Sequence, residues 1–257
     1  MTRICIFFLF LVSFATTAQV VSEQDRAVIV DDILEDRFNT LLPKLMDRSG
    51  LDMWVLISRE YNEDPVLKTM LPATWLNARR RTILVFYRDQ EKNTIEKLAV
   101  ARYNIGKSIT SAWDKEKEPN QWKALTQIIE ARNPKKIGLN YSDNFGLADG
   151  IVRTDYDAFI EALPPSYSSR IVSAEKLAIG WIETRTPKEM EYFEELVDIT
   201  HDIIKDAFST DVVKPGITTT DDVVWYLRQR VTDMGLETWF HPTVDIQRSE
   251  EKLESHI

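Results

Sequence analysis

Apolar residues recur at helical spacing across residues 25–48, where Ile29, Phe38 and Leu45 belong to one side of the pattern. This spacing predicts an amphipathic helix. Pro43 lies inside the pattern and predicts a kink or a division into two helices, because proline lacks the amide hydrogen that a helix interior requires. Ser49-Gly50 marks the predicted end of the helix.

Short apolar runs predict β-strands in the following segment, and helical patterns alternate with them. The predicted strands are 52–58, 80–88, 95–101, 136–140 and 170–173, and the predicted helices are 121–132, 154–163 and 174–179. Strands alternating with helices predict an α/β domain over residues 22–180. The polar turn at 89–93 makes a hairpin of the second and third strands, so the sheet should be mixed rather than purely parallel.

The pattern changes after residue 182. Thr186, Pro187 and Glu189 form the sequence signature of a capped helix start. The apolar face predicted for the helix that follows consists of Met190, Phe193, Val197, Thr200, Ile204 and Ala207. Thr218 or Thr220 is predicted to cap a second helix, which ends at Gly235 and whose apolar face consists of Val223, Val224, Leu227 and Val231.

A strand is predicted at 239–247, and the polar residues 249–255 follow it. Two helices and one strand cannot easily bury a core, because their amphipathic faces need a sheet to cover them. We therefore expect residues 182–257 to be the incomplete start of a second domain. The alternative is that both helices pack on the first domain.

The amino terminus predicts export. Arg3 precedes an apolar run at 4–14, and the small residues 15–18 follow it, which is the pattern of a secretory signal peptide cleaved after Ala18. A membrane anchor is the alternative, although the run is shorter than a bilayer span requires. The predicted organisation is a signal peptide at 1–18, an α/β domain at 19–181 and the start of another domain at 182–257, in a periplasmic or secreted protein.

Composition excludes several classes of function. The single cysteine, Cys5, lies in the predicted signal, so the mature chain would have no disulfide, thiol nucleophile or thiolate metal site. The formal net charge of -9 argues against nucleic acid or an anionic membrane as partner. With only 8 glycines there is no glycine-rich phosphate loop, and the Gly-x-Ser-x-Gly motif of serine hydrolases is absent.

Few residues are candidates for chemistry. The histidines are His201, His241 and His256, and none has the spacing of a metal motif. His241 follows Trp239 and Phe240, and in this apolar setting it could donate a hydrogen bond to a substrate or be a satisfied core residue.

Two charged segments are weaker candidates. Residues 59–65 (REYNEDP) could bind an amine or a carboxylate, but a solvated turn that ends at Asp-Pro is the favoured interpretation. The triplet Arg79-Arg80-Arg81 could contact an anion, although one basic triplet in an acidic chain is weak evidence.

Two stretches resemble a known superfamily. ETRTPKEMEYFEELVDITHDIIKDAF, followed by VKPGITTTDDVVWYLRQRVTDMGLETWFHPTVDIQR, resembles the opening of the catalytic domain of the creatinase and aminopeptidase P (pita-bread) metallopeptidases. The stretch DMWVLISREYNEDP resembles exported Xaa-Pro aminopeptidase-like proteins of the same superfamily. The resemblance covers nearly all of the predicted mature chain.

The resemblance implies a ribonuclease-H-like, creatinase-like mixed-sheet domain, followed by the first two helices and a strand of a pita-bread domain. It implies a full-length relative that holds two divalent ions, manganese, cobalt or zinc, on two aspartates, one histidine and two glutamates. Its substrate is a peptide with proline at the second position, and it forms homodimers. By matching position, His241 would border the substrate pocket.

The metal ligands of the family lie downstream of the strand that matches 239–247, so we expect no ligand set in this chain and no activity from the chain as given. The first alternative to a truncated metallopeptidase is a noncatalytic binding or dimerisation module derived from this family. The second is an unrelated exported α/β protein.

Overall fold

The computed structural model describes residues 20–246. The predicted signal peptide, Cys5 and His256 lie outside the described residues. The helices are α1 Glu23–Asp36, α2 Leu42–Ser49, α3 Pro65–Lys68, α4 Gln121–Arg132, α5 Arg153–Ala162, α6 Pro165–Ser168, α7 Glu175–Glu183, α8 Pro187–Ala207 and α9 Thr220–Asp233. The strands are β1 Met53–Arg59, β2 Arg81–Asp89, β3 Thr94–Ala99, β4 Thr110–Ser111, β5 Ile137–Leu139 and β6 Ile171–Ser173. The chain forms two compact units, one of residues Ser22–Met190 and one that contains the described residues 20–21 and 191–246.

The first unit is built on a six-stranded mixed sheet in the order β4-β3-β2-β1-β5-β6. Strand β2 runs antiparallel to both of its neighbours, whereas β1, β5 and β6 are mutually parallel and β3 is parallel to β4. The predicted α/β class, the mixed sheet and the hairpin of the second and third strands are therefore confirmed. Strand β4 was not predicted, because two residues carry no periodicity.

Helices cover both faces of this sheet. Met53, Val55 and Ile57 of β1 face one core, which α4 and α5 complete with residues such as Leu125 and Phe159. The alternate residues of β1, Trp54 and Leu56, belong to a second core with residues of α2 and α7. A strand that is buried on both faces is apolar throughout, which explains why 52–58 has no polar alternation.

The predicted division of the first helix takes the form of a π-helical turn, Arg37–Leu41, between α1 and α2. The amide of Leu42 donates to the carbonyl of Arg37, one residue farther back than in an α-helix. The wide turn lies just ahead of Pro43, which has no amide hydrogen to donate. The turn buries Arg37 and Phe38.

In the second unit, α8 and α9 share a small core. Its buried members are Ile199, Ile203, Ala207, Val223 and Leu227. The face predicted for α9 is confirmed at Val223 and Leu227. Of the face predicted for α8, only Ala207 is buried in this core, whereas Met190, Phe193, Val197 and Ile204 are exposed. The helix carries more than one apolar stripe, and the sequence pattern does not reveal which stripe meets α9.

Two predictions in this unit are wrong. Thr219, not Thr218 or Thr220, caps α9, because Asp222 lies three residues later and closes a capping box with it. Residues 239–246, the described part of the strand predicted at 239–247, have no regular secondary structure. A strand needs a neighbour for its backbone hydrogen bonds, and the described part of 191–246 contains none.

Within residues 20–246, no helix combines the length and the apolar character needed to cross a membrane.

Candidate functional site: a basic groove at the end of β1 and the start of β2

The antiparallel pairing of β1 with β2 places two arginines opposite each other where β1 ends and β2 begins. Arg59 ends β1 and pairs in register with Arg81, which begins β2. Like charges directly opposite each other destabilise a sheet, so this pair requires a counterion.

Asp155, in the first turn of α5, supplies the counterion. Its carboxylate is fully buried and accepts from Nε and Nη2 of Arg59, each at 2.8 Å, and from Nε of Arg81 at 3.1 Å. These hydrogen bonds raise the pKa of Arg59. One carboxylate thus serves two guanidinium groups, which leaves the cluster of Arg59, Arg81 and Asp155 positively charged.

Aromatic rings position another arginine beside this cluster. The guanidinium carbon of Arg79 lies 4.5 Å from the ring centroid of Trp75 and 5.8 Å from that of Tyr103. The two rings contact each other edge to face, with centroids 5.6 Å apart. Stacking on aromatic faces restrains a guanidinium without neutralising it.

The turns that border the groove have unusual backbone geometry. Tyr61 and Arg80 both have positive φ angles, 69° and 54°, which non-glycine residues rarely adopt. The turns are joined by two hydrogen bonds, in which the Glu60 amide donates to the Arg80 carbonyl at 2.6 Å and the Arg80 amide donates to the Glu60 carboxylate at 2.9 Å.

Together these segments surround a groove of about 530 Å³, a volume within the range of small-molecule sites. Its lining contains six cationic side chains, Arg59, Arg79, Arg80, Arg81, Arg102 and Lys115, and one carboxylate, Glu60. Tyr61, Ala101, Tyr103, Trp113 and Gln121 complete the lining. The Gln121 amide nitrogen donates to the carbonyls of Arg81 and Val100, which ties the start of α4 to the start of β2 and to the residue after β3.

The structure thus unites the start of the segment 59–65 with the triplet 79–81, two charged segments whose sequence patterns predict no common site. Arg102 and Lys115 were not identified from the sequence. Their only signal is positive charge, and their relevance depends on the path that the chain takes after β3, which brings both residues to the end of β1 and the start of β2.

The interpretation of 59–65 as a solvated turn is wrong at Asp64. This residue is buried and caps α3, with Oδ1 accepting from the amides of Val66 and Leu67 at 2.8 and 3.0 Å. Its Oδ2 accepts from Nδ2 of Asn140 at 2.9 Å. Burial raises the pKa of Asp64, and these hydrogen bonds oppose the rise.

The described histidines lie in the second unit. His201 is exposed on α8, and His241 is exposed in the irregular stretch that follows α9. Trp239 and Phe240, next to His241, are also exposed, at 84% and 76%. Nothing in this arrangement tests the predicted role of His241 in a substrate pocket, which stays a prediction.

Across residues 20–246, no three side chains of histidine, cysteine, aspartate or glutamate converge to hold a metal ion. The described residues therefore do not fit the two-metal centre that the resemblance implies, and we derive no catalytic step from them.

No protein-family model matches the chain, and no curated protein matches it. Among solved structures, the chain is similar to an Xaa-Pro dipeptidase from Bacillus anthracis, with 13% sequence identity and a TM-score of 0.43. The similarity covers 79% of this chain and 49% of the dipeptidase, so this chain spans about half the length of that structure. A likeness of this strength does not assign the chain to a family.

Proposed function

We propose that the chain is the amino-terminal portion of an exported Xaa-Pro aminopeptidase-like metallopeptidase. In this proposal the signal peptide is 1–18, a creatinase-like domain follows at 19–181, and 182–257 begins the pita-bread domain. The substrate is a peptide with proline in second position, and the whole enzyme is a homodimer that uses two manganese, cobalt or zinc ions.

The arrangement of the first unit supports this proposal. The strand order β3-β2-β1-β5-β6, in which only β2 is reversed, is the arrangement of a ribonuclease-H-like sheet. At the start of α8, Thr186 and Glu189 form the capping box that the resemblance implies, with the Thr186 amide donating to the Glu189 carboxylate at 2.7 Å and the Glu189 amide donating to the Thr186 hydroxyl at 3.3 Å.

One observation carries the proposal. In the segment that resembles the opening of a catalytic domain, α8 exposes Met190, Phe193, Leu196, Val197 and Ile204, and Phe208 follows directly after it; these side chains are exposed by 37–62% of their surface. A contiguous apolar surface of this kind usually has a partner. In a complete pita-bread domain the sheet that follows the first two helices would cover it.

The test compares the chain that ends at Ile257 with the product of the whole gene that encodes it. Both proteins are loaded with manganese, cobalt or zinc, and their metal content and hydrolysis of an Xaa-Pro peptide are measured. We expect stoichiometric metal and turnover from the whole-gene product, and neither from residues 19–257.

Inactivity of the whole-gene product with all three metals would overturn the proposal. Stoichiometric metal and turnover from residues 19–257 would show instead that they contain a ligand set that the resemblance does not place.

The second candidate is a noncatalytic binding or dimerisation module derived from this family. Two features of the first unit favour it. Both faces of its sheet are covered by a core, and the basic groove lies wholly within that unit. A whole-gene product that is folded and dimeric but binds no divalent metal would support this candidate.

A further inference from the structure

The basic groove has more positive charge than its internal carboxylates neutralise. The carboxylate of Asp155 is used by Arg59 and Arg81. Arg79, Arg80, Arg102 and Lys115 have no acidic partner among the residues that the structure describes. In a chain with a net charge of -9, a cluster of four unpaired cations is not explained by overall composition.

These four cations come from different segments of the chain. Arg79 and Arg80 precede β2, Arg102 follows β3, and Lys115 lies in the loop between β4 and α4. A ligand in the groove therefore meets positive charge from several directions. A tetrahedral phosphate has oxygens that point in several directions and carries nearly two charges at neutral pH, whereas a carboxylate is planar and carries one.

Part of the groove is already ordered for binding. Arg79 is held over Trp75, and the turns at Tyr61 and Arg80 are joined through Glu60. Ordering the cations before the ligand arrives lowers the entropy cost of binding. Glu60 contributes the one carboxylate of the lining and lowers the positive potential on its side.

We propose that this groove binds a small phosphorylated ligand that carries at least two negative charges. Tyr61, Tyr103 and Trp113 offer aromatic surface to an organic group attached to the phosphate. The site lies in the first unit and does not depend on a peptidase active site, so it stands or fails separately from the proposed function.

The test uses ADP, pyrophosphate and adenosine as probes, with calorimetry on the purified chain of residues 19–257. We expect ADP and pyrophosphate to bind and adenosine not to bind. Binding should weaken as sodium chloride rises from about 50 to 500 mM, because added salt screens the charges.

The diagnostic variant is the double substitution Arg79→Gln and Arg102→Gln, which removes two unpaired cations. Its affinity for ADP should fall about tenfold or more, since it lacks two of the cations that would form charged hydrogen bonds with the phosphates. The matched control is Lys117→Gln with Arg153→Gln, which makes the same charge change outside the groove at residues paired with Asp114 and Asp157. The control should bind ADP within about twofold of the unsubstituted chain.

Three results would overturn the proposal. The first is no binding of ADP or pyrophosphate by a chain that circular dichroism shows to be folded. The second is an equal loss of affinity in the groove variant and its control. The third is tighter binding of a single-stranded oligonucleotide or a glutamate-rich peptide than of ADP, which would make the ligand a macromolecule.

Discussion

Nη1 of Arg37 lies 2.8 Å from Oε2 of Glu189, although the two residues are 152 positions apart in the chain. The Arg37 guanidinium also stacks 4.4 Å from the ring centroid of Trp181 and donates to the carbonyls of Trp181 and Thr184. Burial lowers the pKa of Arg37, and Glu189 opposes this effect. The contact joins the π-helical turn Arg37–Leu41 to the first turn of α8.

Replacing Arg37 with alanine should lower the free energy of unfolding by about 3 kcal/mol, because it leaves the Glu189 carboxylate without its partner in a largely buried place. The measurement is urea unfolding followed by tryptophan fluorescence. Arg185→Ala is the control, since Arg185 is an exposed arginine nearby, and it should change stability by less than about 0.5 kcal/mol. Equal effects of the two substitutions would contradict the structural role of Arg37.

Asp155→Asn should destabilise the first unit by about 2 kcal/mol or more, because Arg59 and Arg81 would then face each other without a buried counterion. The loss should shrink in about 1 M sodium chloride, where repulsion between the two guanidinium groups is screened. The Asp157→Asn substitution, at an exposed residue of the same helix, should have little effect at either salt concentration. A loss for Asp155→Asn that does not depend on salt would contradict the electrostatic explanation.

Asp64 predicts a specific pH dependence of stability. Its pKa is raised in the folded state from the usual value of 3.8, so the folded chain holds this proton more tightly than the unfolded chain. The contribution of Asp64 to the free energy of unfolding is therefore most favourable below the usual pKa, and it declines as the pH rises from about 4 through the raised pKa.

The Asp64→Asn variant cannot titrate and should lack this decline. The measurement is the difference in unfolding free energy between the unsubstituted chain and the variant, from urea titrations at several values between about pH 3.5 and 8. The unsubstituted chain should lose stability relative to the variant as the pH rises. A difference that is constant with pH, or that changes in the opposite direction, would contradict the raised pKa.

Helix α8 has a buried apolar stripe that contains Ile203 and an exposed apolar stripe that contains Phe193. A new charge should destabilise the protein in the buried stripe and have little effect on stability in the exposed one. Ile203→Glu places a carboxylate in the core shared with α9, where Ile203 is only 7% exposed. It should lower the free energy of unfolding by several kcal/mol, because it disrupts the packing of α8 against α9. Phe193→Glu alters a side chain that is 47% exposed and should leave stability within about 0.5 kcal/mol while raising solubility.

Circular dichroism during urea unfolding and light scattering at increasing protein concentration measure these effects. If Phe193→Glu unfolds the pair and Ile203→Glu does not, the helix face predicted from the sequence is correct and the observed packing is wrong.

Local signals in the sequence determined much of the fold. The apolar run at 52–58 became β1, the helical spacing at 121–132 became α4, and Pro43 lies at the division of the first helix. The capping box at Thr186 and Glu189 formed as predicted. Each of these features depends on residues within one or two turns, or on the alternation of a single strand, so the chain itself contains the information.

Only the tertiary structure decided which stripe of α8 is buried, that residues 239–246 form no strand, and that Arg59, Arg79 and Arg102 meet in one groove. A helix with two apolar stripes satisfies the same spacing in two ways, and a strand exists only where a neighbour pairs with it. The groove depends on the register of β1 against β2 and on the path of the chain after β3. Contacts between residues far apart in sequence set both, and no local pattern records them.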